Sequence, residues 1–157
     1  MNSCYYITAV FLLAFLNYIC DLETKEKIMI SLTSLYIAGV LTIFVAIFHS
    51  SFYKLFRWKA EYRNISDLNK KIFYVIHLAL LLLLLGMGII TLIYTQELSE
   101  CIGLSLGINM FFSLFWLWRT IYQIFFFTGK LLHYILILLF FLLFATYALP
   151  SYIHIIY

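Results

Sequence analysis

Residues 72–94 read IFYVIHLALLLLLLGMGIITLIY, twenty-three positions without one Asp, Glu, Lys or Arg. As a helix this stretch rises about 35 Å. That is enough to cross the roughly 30 Å of bilayer hydrocarbon while every backbone polar group is satisfied within the segment. Working outward from it, four further stretches are long and apolar enough to do the same, at 3–20, 28–53, 103–127 and 131–149. Composition points the same way. Hydrophobic residues make up 66% of the 157 and charged ones 11%, with a mean hydropathy of +1.04, too little polar surface for a soluble domain. The longest polar stretch, 54–71, is too short to bury a core of its own. The expected fold is therefore all-α: one polytopic integral membrane domain over 1–157, with about five membrane-spanning helices and short loops.

The first span does not read as a secretory signal. No base precedes it, and Asn17-Tyr18-Ile19-Cys20 offers no small-x-small cleavage site. Pro150 is expected to kink or stop the last helix, leaving 151–157 as an interfacial tail. Lys54, Arg57, Lys59, Arg63, Lys70 and Lys71 fill the second loop, and Arg119 and Lys130 flank the fourth, so eight of the ten bases share one side. The positive-inside rule makes that side cytoplasmic. With five spans the N-terminus is then cytoplasmic and the C-terminus outside, in a cell membrane. The net charge of +3 follows from this bias and needs no acidic partner. Phe56, Trp58 and Tyr62 interleave with the loop's bases, a pattern that suits lipid headgroups. No recognised module accompanies them, so nucleic acid is not an expected partner. Asn64-Ile65-Ser66 matches a glycosylation acceptor but falls in the cytoplasmic loop. Ser66 or Asp67 is instead expected to cap the third helix. Cys4, Cys20 and Cys101 form no metal-ligand spacing. Cys20 and Cys101 fall on the same outer face, within reach of a disulfide in an oxidising compartment.

Polar residues inside a span are costly, so the face they occupy is informative. In the fourth span Asn109, Ser113, Trp116, Thr120 and Gln123 follow steps of four, three, four and three, one face of a helix, with Arg119 adjoining. The second span matches it with Ser34, Ala38, Thr42, Ala46, His49 and Tyr53. The third carries His77, Leu81, Leu84, Gly88, Thr91 and Thr95. Gly103 and Gly107 have the small-x-x-x-small spacing that lets helices approach closely. His49, His77 and His133 each lie three to six residues from a cytoplasmic base, at a common depth of roughly 5–9 Å at 1.5 Å per residue. His154 is on the other side.

These faces together imply a ligand pocket in the cytoplasmic leaflet formed by His49, Tyr53, Tyr74, His77, Trp116, Arg119, Gln123 and His133. Three readings follow. The first is a small membrane subunit or ligand-binding module, partnered by lipid, by other membrane subunits or by itself. The second is a redox protein in which His49, His77 and His133 hold a metal ion or haem, three imidazoles sufficing for a metal and one or two for haem. The third is a small transporter or half-transporter, though no inverted repeat is visible. No local His pairing of the H-x-x-H kind occurs. Acid–base chemistry lacks a carboxylate in any span, and nucleophilic motifs and phosphate loops are missing. The chain is thus not expected to be an enzyme.

From Trp58 through Leu68-Asn69 and His77 to Phe115-Trp116-x-x-Arg119-x-x-x-Gln123-x-Phe125, roughly half the chain, the sequence resembles a group of small bacterial multi-pass membrane proteins of no known activity. The resemblance implies a shared membrane bundle and favours Trp116, Arg119 and Gln123 as residues with a role beyond packing.

Overall fold

The computed structural model describes the backbone of residues 2–126 and 131–156, and of these all side chains except those of residues 2–21 and Glu23. Eight elements occur in chain order. They are α1 (Asn2–Ser50), α2 (Phe52–Leu55), α3 (Trp58–Glu61), a 3₁₀ turn (Tyr62–Asn64), α4 (Asp67–Ile93), α5 (Thr95–Glu100), α6 (Leu104–Phe126) and α7 (Leu131–Ile156). Among the described residues there is no strand. Four helices are long and apolar enough to cross a membrane: the Thr24–Ser50 part of α1, then α4, α6 and α7. The chain is an all-α, multi-pass membrane bundle.

Five spans were expected and four are found among the described residues. The stretch 3–20 lies outside the described side chains, but its backbone continues into 28–53 as one helix without a turn. Asp21, Glu23, Lys25, Glu26 and Lys27 were read as a loop because they are charged. None of them breaks a helix, and at spacings of three and four they are good helix formers. Pro150 likewise does not end α7, which runs on to Ile156. Proline costs one backbone hydrogen bond, which a buried membrane helix tolerates, and Pro150 is fully buried. Ser66 caps α4 as expected, its Oγ accepting from the Asn69 N–H at 3.4 Å.

Packing follows the chain around an incomplete ring. Helix α1 packs along α4 and α7, and α7 packs along α6, while α4 and α6 make at most glancing contact. The α1–α4 seam is set by glycine. A Cβ on Gly88 would stand 2.6 Å from Ile43 Cγ1 and 3.1 Å from the Gly39 carbonyl oxygen, and one on Gly39 would stand 2.7 Å from Leu92 Cδ2. Gly103 and Gly107, the pair expected to allow close approach, have open space where a Cβ would go. Gly103 instead takes φ +58 at the turn into α6.

Three helices meet at Tyr147, which is fully buried. Its hydroxyl lies 3.2 Å from Thr42 Oγ1 and 2.9 Å from Thr91 Oγ1. Thr91 donates its one hydroxyl hydrogen to the Met87 carbonyl at 2.7 Å, so it accepts from Tyr147, and Tyr147 in turn accepts from Thr42. The far end is closed by α5, whose Leu98 carbonyl accepts from Asn109 Nδ2 at 2.8 Å. Cys101, among the described residues a free and buried thiol, lies 3.4 Å from Ser151 Oγ; Cys20 is outside the described side chains.

Two outcomes follow. Gly88→Ala should lower stability in detergent by about 1–3 kcal/mol, the usual cost of overpacking, while Gly86→Ala and Gly107→Ala, whose Cβ atoms meet nothing within 4 Å, should melt no lower than the parent. Tyr147→Phe removes two interhelical hydrogen bonds, at ~0.6 kcal/mol each for membrane proteins. It should lower the melting temperature measurably, whereas Tyr36→Phe on the exposed face should not.

Candidate functional site

Because α4 and α6 diverge, the bundle is hollow at the end that carries the basic 54–71 segment. A cavity of about 380 Å³ lies there. All four long helices line it. Helix α1 contributes Val45, Phe48 and His49, α4 contributes Leu80 and Leu84, α6 contributes Phe115, Trp116, Arg119 and Gln123, and α7 contributes Leu132, His133, Leu136 and Phe140. Phe52, Phe56 and Trp58, from the short helices after α1, also line it. Its size falls at the small end of ligand pockets, and its make-up, largely apolar and aromatic with a few polar groups, is typical of them.

Helix α6 supplies most of the polar groups. Every member of its predicted stripe, Asn109, Ser113, Trp116, Thr120 and Gln123, is buried. The three residues nearest the basic end, Trp116, Arg119 and Gln123, reach the cavity. Gln123 is 2% exposed, and its Nε2 donates to His133 Nδ1 at 3.3 Å. An amide nitrogen cannot accept, so this bond holds the His133 proton on Nε2. The Arg119 guanidinium carbon sits 5.2 Å from the centre of the Phe140 ring, within cation–π range. Phe140 also meets Trp116, ring centres 5.5 Å apart. No carboxylate lies against Arg119 among the described residues.

Two buried polar atoms on the cavity residues have no hydrogen-bond partner among the described residues, Nε2 of His49 and Nε1 of Trp116. An unmade hydrogen bond in a buried site costs about 1–3 kcal/mol, more than a bundle with only packing to do would retain twice in one place. Asn109 Oδ1 is a third such atom, away from the cavity.

The structure divides the expected site residues. His49, Trp116, Arg119, Gln123 and His133 share the cavity. His77, Tyr53 and Tyr74 do not line it. They belong to an aromatic cluster in which the His77 ring lies tilted against His49 at 4.6 Å and meets Trp58 edge-on at 4.8 Å. Tyr53 lies 6.0 Å from Tyr74 and 6.4 Å from Trp58. With His77 held between two rings and His133 across the cavity, no three His, Cys, Asp or Glu side chains gather as a metal-binding group among the described residues. The three-imidazole metal set is therefore not assembled. His154 lies at the opposite end, in a separate hollow with Lys27, Ser99 and Glu100.

Two features of the cavity escaped the sequence pattern. Phe140 belongs to a face of α7, His133, Leu136, Phe140, Leu143 and Tyr147, whose steps of three and four were legible but carry almost no polar residues. Phe52, Phe56 and Trp58 follow a turn at Ser51, after which the α1 stripe passes to Phe52 instead of Tyr53. Comparison with protein-family models, with characterised proteins and with solved structures gives no match.

Trp58 lines the cavity at its basic end, edge-on against His77, and is expected to shield Leu80 from water. In a Trp58→Ala background, a Cys placed at Leu80 should react several-fold faster with a water-soluble maleimide than in the parent background, native cysteines being subtracted; equal rates would show that the cover lies elsewhere.

Proposed function

We propose that this multi-pass membrane protein is a ligand-binding module that takes an amphiphilic molecule into the cavity between α4 and α6. The observation that carries it is the pair of orphaned buried atoms, His49 Nε2 and Trp116 Nε1, on a cavity otherwise lined by aromatic and aliphatic side chains. A hollow meant only for packing would be apolar or filled. One that offers donors at one end and hydrocarbon around them suits a head and a chain. The exposed apolar faces of α4, α6 and α7 make the bilayer its solvent, and partners, whether other membrane subunits or a second copy, would meet it there.

The cavity end is assigned to the cytoplasmic leaflet, since six bases stand between α1 and α4 and basic loops stay inside. On this reading, with four spans among the described residues, the Thr24 end of α1 and the Ile156 end of α7 would both lie on the outer side, whereas five spans would leave the N-terminus cytoplasmic. The resemblance to small bacterial multi-pass proteins supports an inner-membrane setting. Single cysteines in place of Glu26 and Ile155 should be labelled by an impermeant reagent added outside intact cells, and one in place of Lys59 only after lysis. Labelling of residue 26 from the inside would reverse the α1 assignment.

Occupancy is tested by fluorescence. Trp116 is 1% exposed and Trp118 61%, so a variant keeping only Trp116 (Trp58→Phe, Trp118→Phe) should be quenched saturably by brominated long-chain amphiphiles. A variant keeping only Trp118 should be quenched in simple proportion to their mole fraction. Proportional quenching of both would remove the ligand reading.

A further inference from the structure

The cavity's chemistry narrows what it holds. Resting on the reading that the cavity is a ligand site, we infer that its occupant is an acyl-chain amphiphile with an anionic oxygen head, a carboxylate or a phosphate, held by Arg119 and Trp116 and admitted sideways from the bilayer between α4 and α6.

Donors dominate the lining. Trp116 Nε1–H can only donate, and so can every nitrogen of the Arg119 guanidinium. The imidazole of His49 serves as donor through its unpartnered Nε2 in the tautomer that protonates it. Among the described lining residues there is no Asp or Glu, so the ligand must bring the acceptors. A neutral carbonyl head would satisfy Trp116 and His49 but leave the Arg119 charge without a counter-ion in a low-dielectric site, an arrangement that costs heavily. Its cation–π contact with Phe140 at 5.2 Å orients the guanidinium but does not neutralise it. An anionic oxygen head meets all three demands, and Trp116 and Arg119, three apart on α6, present their donors on one face.

Access follows from packing. Towards the basic surface the cavity is lined by the bulky rings of Phe52, Phe56 and Trp58, with Trp58 edge-on against His77. Towards α1 and α7 the helices are in close contact. The seam left is that between α4 and α6, where no continuous packing exists and where Leu80 and Leu84 face Phe115 and Trp116 across the cavity. That seam opens to acyl chains, so a lipid can seat its head at Arg119 while its chain stays in hydrocarbon.

The Trp116-only variant tests this with three probes of equal chain length, each brominated on the chain: a carboxylate, a phosphatidic acid and the neutral alcohol. The anions should reach half-saturation at a concentration at least tenfold below that of the alcohol, and whichever anion is tighter names the physiological head. Arg119→Gln should abolish that preference by weakening both anions far more than the alcohol, and Arg119→Lys should restore part of it. An alcohol that binds as tightly as both anions, or an Arg119→Gln variant that weakens all three equally, would overturn the head assignment while leaving the cavity a ligand site. Quenching that saturates with none of the three would remove the occupancy itself, and this assignment with it.

Discussion

In hydrocarbon a hydrogen-bonding group finds its partner inside the protein or not at all, and this bundle is organised by where that demand is met and where it is not. At mid-depth it is met in full. The chain of hydroxyls from Thr42 through Tyr147 and Thr91 to the Met87 carbonyl uses each hydrogen once, and it fixes α1, α4 and α7 at one point. Glycine contact between α1 and α4 brings the first two backbones close enough for the chain to close. Because α4 is held against α1, it is drawn away from α6, and α6 depends on α7 for its own packing. The opening between α4 and α6 is thus a consequence of the Tyr147 node and the glycine seam, not a separate feature.

Below that level, towards the basic end, the demand is left partly open. His49 and Trp116 each keep a buried nitrogen without a partner, although Gln123 and His133 a turn away are paired. The same helix, α6, therefore carries both a satisfied and an unsatisfied group on one stripe, with Arg119 between them. Its backbone is fixed by packing against α7, so the open groups cannot relax towards one another. A rigid helix that presents unspent donors to a hollow is the arrangement expected of a prepared binding site.

How much of this was legible depends on whether polarity marks the face. The α6 stripe could be read in full because Asn109, Ser113, Thr120 and Gln123 are hydrophilic in an apolar helix, and such residues turn inward. The α1 face as far as His49 was legible for the same reason, and the α4 face from Leu84 through Gly88 to Thr91, but not at its basic end, where Leu80 and not His77 or Leu81 reaches the cavity. The α7 face was not, since Leu136, Phe140 and Leu143 look like lipid-facing residues and only their neighbours distinguish them. Charge misled at two places. The cluster at 21–27 was taken for a loop when it is helix, since charged residues at three- and four-residue spacing support one another. Of the aromatic residues that interleave with the loop's bases, Phe56 and Trp58 also line the cavity, which their place among charged residues did not signal. Spacing from the nearest base gives the histidines a level along the helix axis, but it says nothing about azimuth. His77 shares the level of His49 and His133 and yet lies on the outside of the cavity.

That difference in azimuth has a chemical consequence. Three imidazoles at one depth would form a metal site if their helices pointed them at a common centre, but α4 is rotated so that Leu80 and Leu84, not His77, face the hollow. His77 is used instead in the aromatic cluster, tilted against His49 and met edge-on by Trp58, so that it joins a residue of the cavity wall on α1 to one of the short helices that follow it. One step of helix azimuth thus separates an imidazole that could bind a ligand in the cavity from one that only braces its wall.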